Sequence, residues 1–162
     1  MSVLTVESLW QFSITHYQNA QVQTLLLDAQ NKLCANVNLV LACLYLDKHH
    51  LVMTPEQLLL LHQEVSNFSQ HFTQALRTLR TEFKDKQKTL IDYSKIRQNL
   101  LDTELILERQ EQYILITLIS EFTFITGMSE NNLEQYQVIL EQQNPLKIKS
   151  TQKLSDLNQY IS

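Results

Sequence analysis

Glycine and proline are almost missing from this chain, with one and two copies in 162 residues. Tight strand-to-strand turns need glycine at positive φ, so a sheet protein is hard to build from this composition, whereas helix-to-helix turns are not. The phosphate loops of Rossmann and Walker proteins need several glycines, and Gly127 stands alone. Long apolar runs are missing too. The longest, from Tyr113 to Phe124, is interrupted by Thr117, Ser120, Glu121 and Thr123 and is too short and too polar to span a bilayer. No export signal is visible, which gives the expectation of a cytoplasmic protein. Cysteine is scarce. Cys34 and Cys43 sit in apolar surroundings and read as two buried thiols in a reducing compartment, too awkwardly spaced for a disulfide within one helix.

Catalytic and metal-binding patterns are also wanting. The five histidines, His16, His49, His50, His62 and His71, fall in no His-Glu-x-x-His frame and in no zinc-finger spacing with cysteine. Glu104, Glu108 and Glu111 share one helical face, but the Glu-x-x-His motifs of a helical di-metal site are absent. No nucleophile motif surrounds a serine. The expectation is a chain with no catalytic residue, no metal and no cofactor, more in keeping with a non-enzyme than an enzyme.

What is present is helical periodicity. Apolar residues make up 44% of the chain, enough for one globular domain. Thr5 is placed to cap a first helix carrying Leu9, Trp10, Phe12, Ile14 and Tyr17. Asn19 is placed to cap a second, with Val22, Leu25, Leu26 and Ala29 on one stripe. Asn36 precedes a third, from Val37 to Leu46, apolar nearly all round and therefore suited to the middle of a core. Thr54-Pro55-Glu56-Gln57 combines a capping threonine, a proline at the first helical position and a capping-box glutamine. It opens a long stripe through Leu58, Leu61, Val65, Phe68, Phe72, Leu76, Leu79 and Phe83. A second long helix is predicted from near Asp92 or Ser94 to Gly127, with its β-branched part from Ile114 to Ile125 kept helical for want of a partner strand. Ser129 is placed to cap a shorter helix that ends before Pro145.

The expected fold is all-α, an irregular bundle of five to seven helices with a long antiparallel pair as its spine. Residues 1–145 form a single domain and 146–162 a polar tail, either mobile or docked through Leu154, Leu157 and Ile161. A helix of about 33 residues is roughly 50 Å long, while a compact chain of this size has a radius of gyration of about 15 Å. The long pair must therefore kink or project as a hairpin with its tip near residues 86 to 93.

Charge is uneven. Residues 77 to 97 hold seven basic and three acidic side chains, net +4, and the rest of the chain six and fourteen, net −8. Arg77, Arg80, Lys84 and Lys88 fall on one helical stripe, and Lys86 lies in the same basic window. They read as a surface for phosphate or an acidic partner, or as a solvated flank paired with Glu104, Glu108 and Glu111 across the hairpin. Asn38 and Gln30 lie on or beside strongly apolar helices and read as buried polar groups that fix helix register, or as the lining of a pocket near Trp10 and Tyr17.

Leu9-Trp10-x-Phe12, Tyr17, Val22, Leu27, Gln30 and Val37-Asn38-Leu39, followed by Leu76-Arg77-x-Leu79-Arg80 and Glu104-Leu105-x-x-Glu108-Arg109-x-x-Gln112, resemble the motifs of a mostly proteobacterial family, a domain of unknown function. The resemblance spans about residues 8 to 140. The family often has tryptophan where Phe68 stands, proline where Ala75 stands, and a glycine shortly before Asn36. The missing proline favours an unbroken fourth helix here. The resemblance implies a helical bacterial protein in which Glu104, Glu108 and Arg109 join a charge network with Arg77 and Arg80. It supplies no activity. The leading expectation is a protein-interaction or regulatory module, with homodimerisation open. Nucleic-acid binding through Arg77, Arg80, Lys84, Lys86 and Lys88 and a small-ligand binder or enzyme are the alternatives.

Overall fold

In the computed structural model of the chain, residues 4–125, 131–145 and 153–161 are described. They form an all-α bundle of α1 (Val6–Tyr17), α2 (Ala20–Leu33), α3 (Val37–Lys48), α4 (Pro55–Phe68), α5 (Gln74–Glu82), α6 (Tyr93–Ile119) and α7 (Asn132–Gln143). A 3-10 segment, Leu154–Tyr160, lies near the C-terminal end. The helix starts follow from local chemistry. Thr5, Asn19, Asn36 and Thr54 each accept a hydrogen bond from a first-turn backbone N–H, and Pro55 opens α4. Each such cap satisfies a donor that would otherwise point at nothing.

α3 runs through the centre. Every residue from Asn38 to Leu46 is buried, packed among α1, α2, α6 and α7. Leu58, Leu61 and Val65 of α4, Leu115 and Ile119 of α6, and Leu133, Tyr136 and Leu140 of α7 complete the core around it. Leu154 and Leu157 of the 3-10 segment are buried against this body, in contact with α2 and α7.

Four expectations need correction. α6 ends at Ile119, short of Gly127; Phe122 to Phe124 are non-helical, and Ile125 donates its N–H to the Val52 carbonyl at 2.8 Å in a single antiparallel bridge. The β-branched stretch therefore leaves the helix where a backbone partner, Val52, becomes available. Gly127 and Ser129 lie outside the described residues; the cap of α7 is Asn131, whose side chain accepts from Glu134 N–H. Cys43 is buried, but Cys34 is exposed because it closes α2 in the left-handed region, at φ 58°, a place glycine would usually hold.

The fourth concerns the long stripe. α4 and α5 are joined by a π-helical turn, Ser69–Thr73, so the helix is not of one kind throughout. The side chains turned toward α6 and the core step by four: Leu61, Val65, Ser69 and Thr73 are buried, and Arg77 follows. In a plain α-helix four such steps would drift about 160° round the axis. A wider π turn takes up part of that drift and holds the row on one side. The cost falls on the apolar stripe. Phe72 is 53% exposed and Leu79 49%, while Ser69 and Thr73 occupy the inner side.

α5 and the N-terminal part of α6 stand apart from the body. From Gln74 to Thr103 no side chain is buried. The two helices form a hairpin arm that projects, closed at its tip by stacking of Phe83 on Tyr93 with ring centroids 5.6 Å apart.

Candidate functional site

Two polar assemblies, one on the arm and one beneath it, hold most of the residues singled out from the sequence. On the arm, Arg77 and Arg80 reach across from α5 to α6. Arg77 Nε donates to Glu104 Oε1 at 2.6 Å and its Nη2 to Glu108 Oε1 at 2.6 Å; Arg80 Nε donates to Glu104 Oε2 at 2.6 Å. Both oxygens of one carboxylate are thus held by two guanidinium groups. Arg77 Nη1 also reaches Gln30 on α2, at 3.5 Å. Burial pushes the Glu104 carboxyl up, and the hydrogen bonds from Arg80 and Arg77 outweigh it, leaving it below the ordinary range. Burial pushes the Glu108 carboxyl up against the pull of Arg77. This clasp sits where the arm joins the body and fixes how α5 lies on α6.

Arg109 belongs to a different contact. It pairs with Glu7 of α1 and lies over the Trp10 ring, 5.6 Å from its centroid. Trp10 and Tyr17 are half-buried. Lys84, Lys86 and Lys88 are exposed at the arm's tip with no ion-pair partner among the described residues. Of the basic stripe, therefore, Arg77 and Arg80 are engaged by carboxylates and the three lysines are open to solvent.

Beneath the clasp a second assembly crosses the core. Asn36 and Asn38 both donate their side-chain amides to Glu111 Oε2, at 3.0 and 2.9 Å. Gln112 Nε2 donates to Asn38 Oδ1 at 3.0 Å and to Ser13 Oγ at 2.9 Å. Asn36 N–H donates to Tyr136 Oη at 3.2 Å, and Tyr136 Oη meets His62 Nδ1 at 2.9 Å. Burial pushes the His62 imidazole pKa down and the Tyr136 phenol up. This string ties α1, α3, α4, α6 and α7 together. Sequence reading found Asn38 but placed Glu111 with the surface carboxylates and missed Asn36, Gln112, Tyr136 and His62. Gln112, one turn beyond Glu108, and the doubled asparagine at the start of an apolar helix are the signals that point to it.

No group of three or more histidine, cysteine, aspartate or glutamate side chains suited to a metal is present among the described residues. Among them, too, no helix is long and apolar enough to cross a membrane. A shallow depression of about 10 Å³ lies away from both assemblies, between α2 and the 3-10 segment, lined by Leu25, Ala29, Leu33, Lys153 and Leu154.

A family model described as "protein of unknown function (DUF2390)" matches residues 8–115. The chain belongs to this family. The DUF2390 match takes in α1 from Ser8 onward, α2 to α5, the arm, and α6 as far as Leu115, so the clasp and most of the buried polar string lie inside it. It agrees with the resemblance to a domain of unknown function, over a shorter span than residues 8 to 140. No curated protein and no solved structure matches the chain.

Proposed function

We propose that this chain is a non-enzymatic protein-interaction module of the bacterial cytoplasm that works through its projecting helical arm. One observation carries the reading. Over the whole stretch from Gln74 to Thr103 nothing is buried, yet the arm and its base present Phe72, Leu79, Ile91 and Ile96 to solvent and are held in fixed register by a clasp of three ion pairs. Ordering an exposed hairpin costs conformational entropy that burial within this chain does not offset. Contiguous exposed apolar side chains on a rigid element are a common mark of a contact surface.

The test is photo-crosslinking in cells that make the protein. A photoreactive side chain at position 79 or 91 should give discrete protein adducts, and one at exposed Gln18 on the body should not. Adducts confined to position 18, or none at all, would reject the arm as the contact surface.

Nucleic-acid binding remains the second reading, supported by the exposure of Lys84, Lys86 and Lys88. It requires binding that weakens steeply with salt and adducts that nuclease removes. The third reading, a small-ligand binder or enzyme near Trp10, Tyr17 and Asn38, requires a co-purifying ligand.

A further inference from the structure

The α4–α6 hairpin is electrically polar along its length. Its base, residues 55 to 76 and 110 to 125, contains no lysine or arginine, and it exposes Glu56, Glu64 and Glu121. Its tip carries Lys84, Lys86, Lys88, Lys95 and Arg97 against Glu82, Asp85 and Asp92. None of those five cations, and none of the three exposed carboxylates at the base, has an ion-pair partner among the described residues. Between the poles, the clasp arginines are already neutralised.

The poles cannot neutralise each other within one chain. Glu56 and Lys84 are separated along the helix by about 40 Å, against a screening length of about 8 Å at physiological salt.

An apolar strip runs between them. Leu76 and Leu79 on α5, with Phe83 just beyond its end, lie about a quarter turn from the clasp, as do Ile96, Leu100 and Leu107 on α6. Because the helices are antiparallel, both stripes fall on the same side of the hairpin. The Phe83–Tyr93 stack at the tip accords with that placement. Leu79 is 49% exposed and Ile96 38%.

We propose that this strip is covered by a second copy of the chain, with the two hairpins lying antiparallel in a four-helix bundle so that each basic tip rests on the acidic base of its partner. The inference rests on the reading of the arm as a contact surface and names its occupant. A two-fold antiparallel pairing brings opposite poles together twice with one surface patch. Parallel pairing would set like charges side by side. Leu79 and Ile96 would meet their partners near the middle, as core positions do in bundles of this kind.

The test uses the full chain and its mass in solution. By light scattering or sedimentation the protein should run at about twice 19.0 kDa. Two charge-reversed variants are compared, Lys84→Glu/Lys86→Glu/Lys88→Glu and Glu56→Lys/Glu64→Lys/Glu121→Lys, with circular dichroism confirming that each retains its helices. Each alone should dimerise at least about tenfold more weakly, and an equimolar mixture should restore a dimer containing one of each. A monomeric parent protein, a dimer indifferent to both reversals, or a mixture that stays monomeric would each overturn the proposal. Crosslinks from positions 79 and 91 to a different protein, alongside a monomeric parent, would sink the dimer and leave the arm reading standing. Absence of any crosslink from these positions, to a second copy or to another protein, would sink both.

Discussion

Asn38 Nδ2 donates to Glu111 Oε2 at 2.9 Å across 73 residues of sequence, joining the central helix α3 to α6 in the middle of an apolar core. The same oxygen accepts from Asn36, and Asn38 Oδ1 accepts from Gln112. Asn38 is thus donor to one neighbour and acceptor for another.

Asn38→Ala should destabilise the fold by about 2–4 kcal/mol, because it removes contacts and strips a partner from two buried polar groups at once. Glu111→Gln keeps an acceptor oxygen for both asparagines while removing a buried charge that has no cation beside it, so its cost should stay within about 1 kcal/mol. Urea unfolding of the two variants checks the ranking. Equal losses would mean that the geometry at Asn38 matters less than the carboxylate.

The clasp predicts a local effect. Arg80→Ala leaves one oxygen of a nearly buried carboxylate, only 4% exposed, without its cation. A cost of about 2–3 kcal/mol is expected, felt first in the arm. Hydrogen exchange should quicken from residue 74 to 103 and hardly change in α3. Uniform acceleration would show that arm and body unfold as one unit.

Acid should weaken the protein in two windows. Burial lowers the His62 pKa from 6.5, so the unfolded chain binds that proton more readily. Its contribution is complete above pH 6.5 and is lost as the pH falls toward the folded-state value. Glu104, lowered from 4.5, contributes fully above that pH and loses its contribution below it. His62→Gln should flatten the upper window and leave the lower one. Unfolding midpoints measured across pH give the answer directly, and an unchanged slope between neutral pH and the lower window would discount His62.

The two thiols should behave differently. Cys34 is exposed, whereas Cys43 is fully buried and its pKa is pushed well up by burial and by the Asp47 carboxylate. Brief treatment of the folded protein with iodoacetamide should alkylate Cys34 alone by mass spectrometry, with Cys43 following only in denaturant. Equal labelling of both would contradict the packing of α3.

The parts of this fold legible in the sequence are those fixed within a few residues. The caps at Thr5, Asn19, Asn36 and Thr54 are local chemistry, and α3 announces its central place by being apolar on every side. Glycine scarcity and helical periodicity together led to an all-α bundle. What was hidden depends on neighbours distant in the chain. Glu104, Glu108 and Glu111 share a helix face, yet only contact with α5 assigns arginines to the first two and only α3 assigns asparagines to the third. Ile125 lies beyond the end of α6 and bridges to Val52, and no periodicity within α6 records that. The stripe from Phe68 to Phe83 was real as a pattern and misleading as a guide to burial, because the π turn rotates it off the inner side.

That turn gives the arm one residue of slack. A π turn holds about one residue more than an α turn, so the helix carries an extra residue without turning what lies beyond it. Excising a single residue between Ser69 and Thr73, Gln70 for instance, should let the helix close up as ordinary α with Arg77 and Arg80 still turned to Glu104. The same excision further along, at Thr78, meets no such slack and would swing Arg80 about 100° away from its carboxylate.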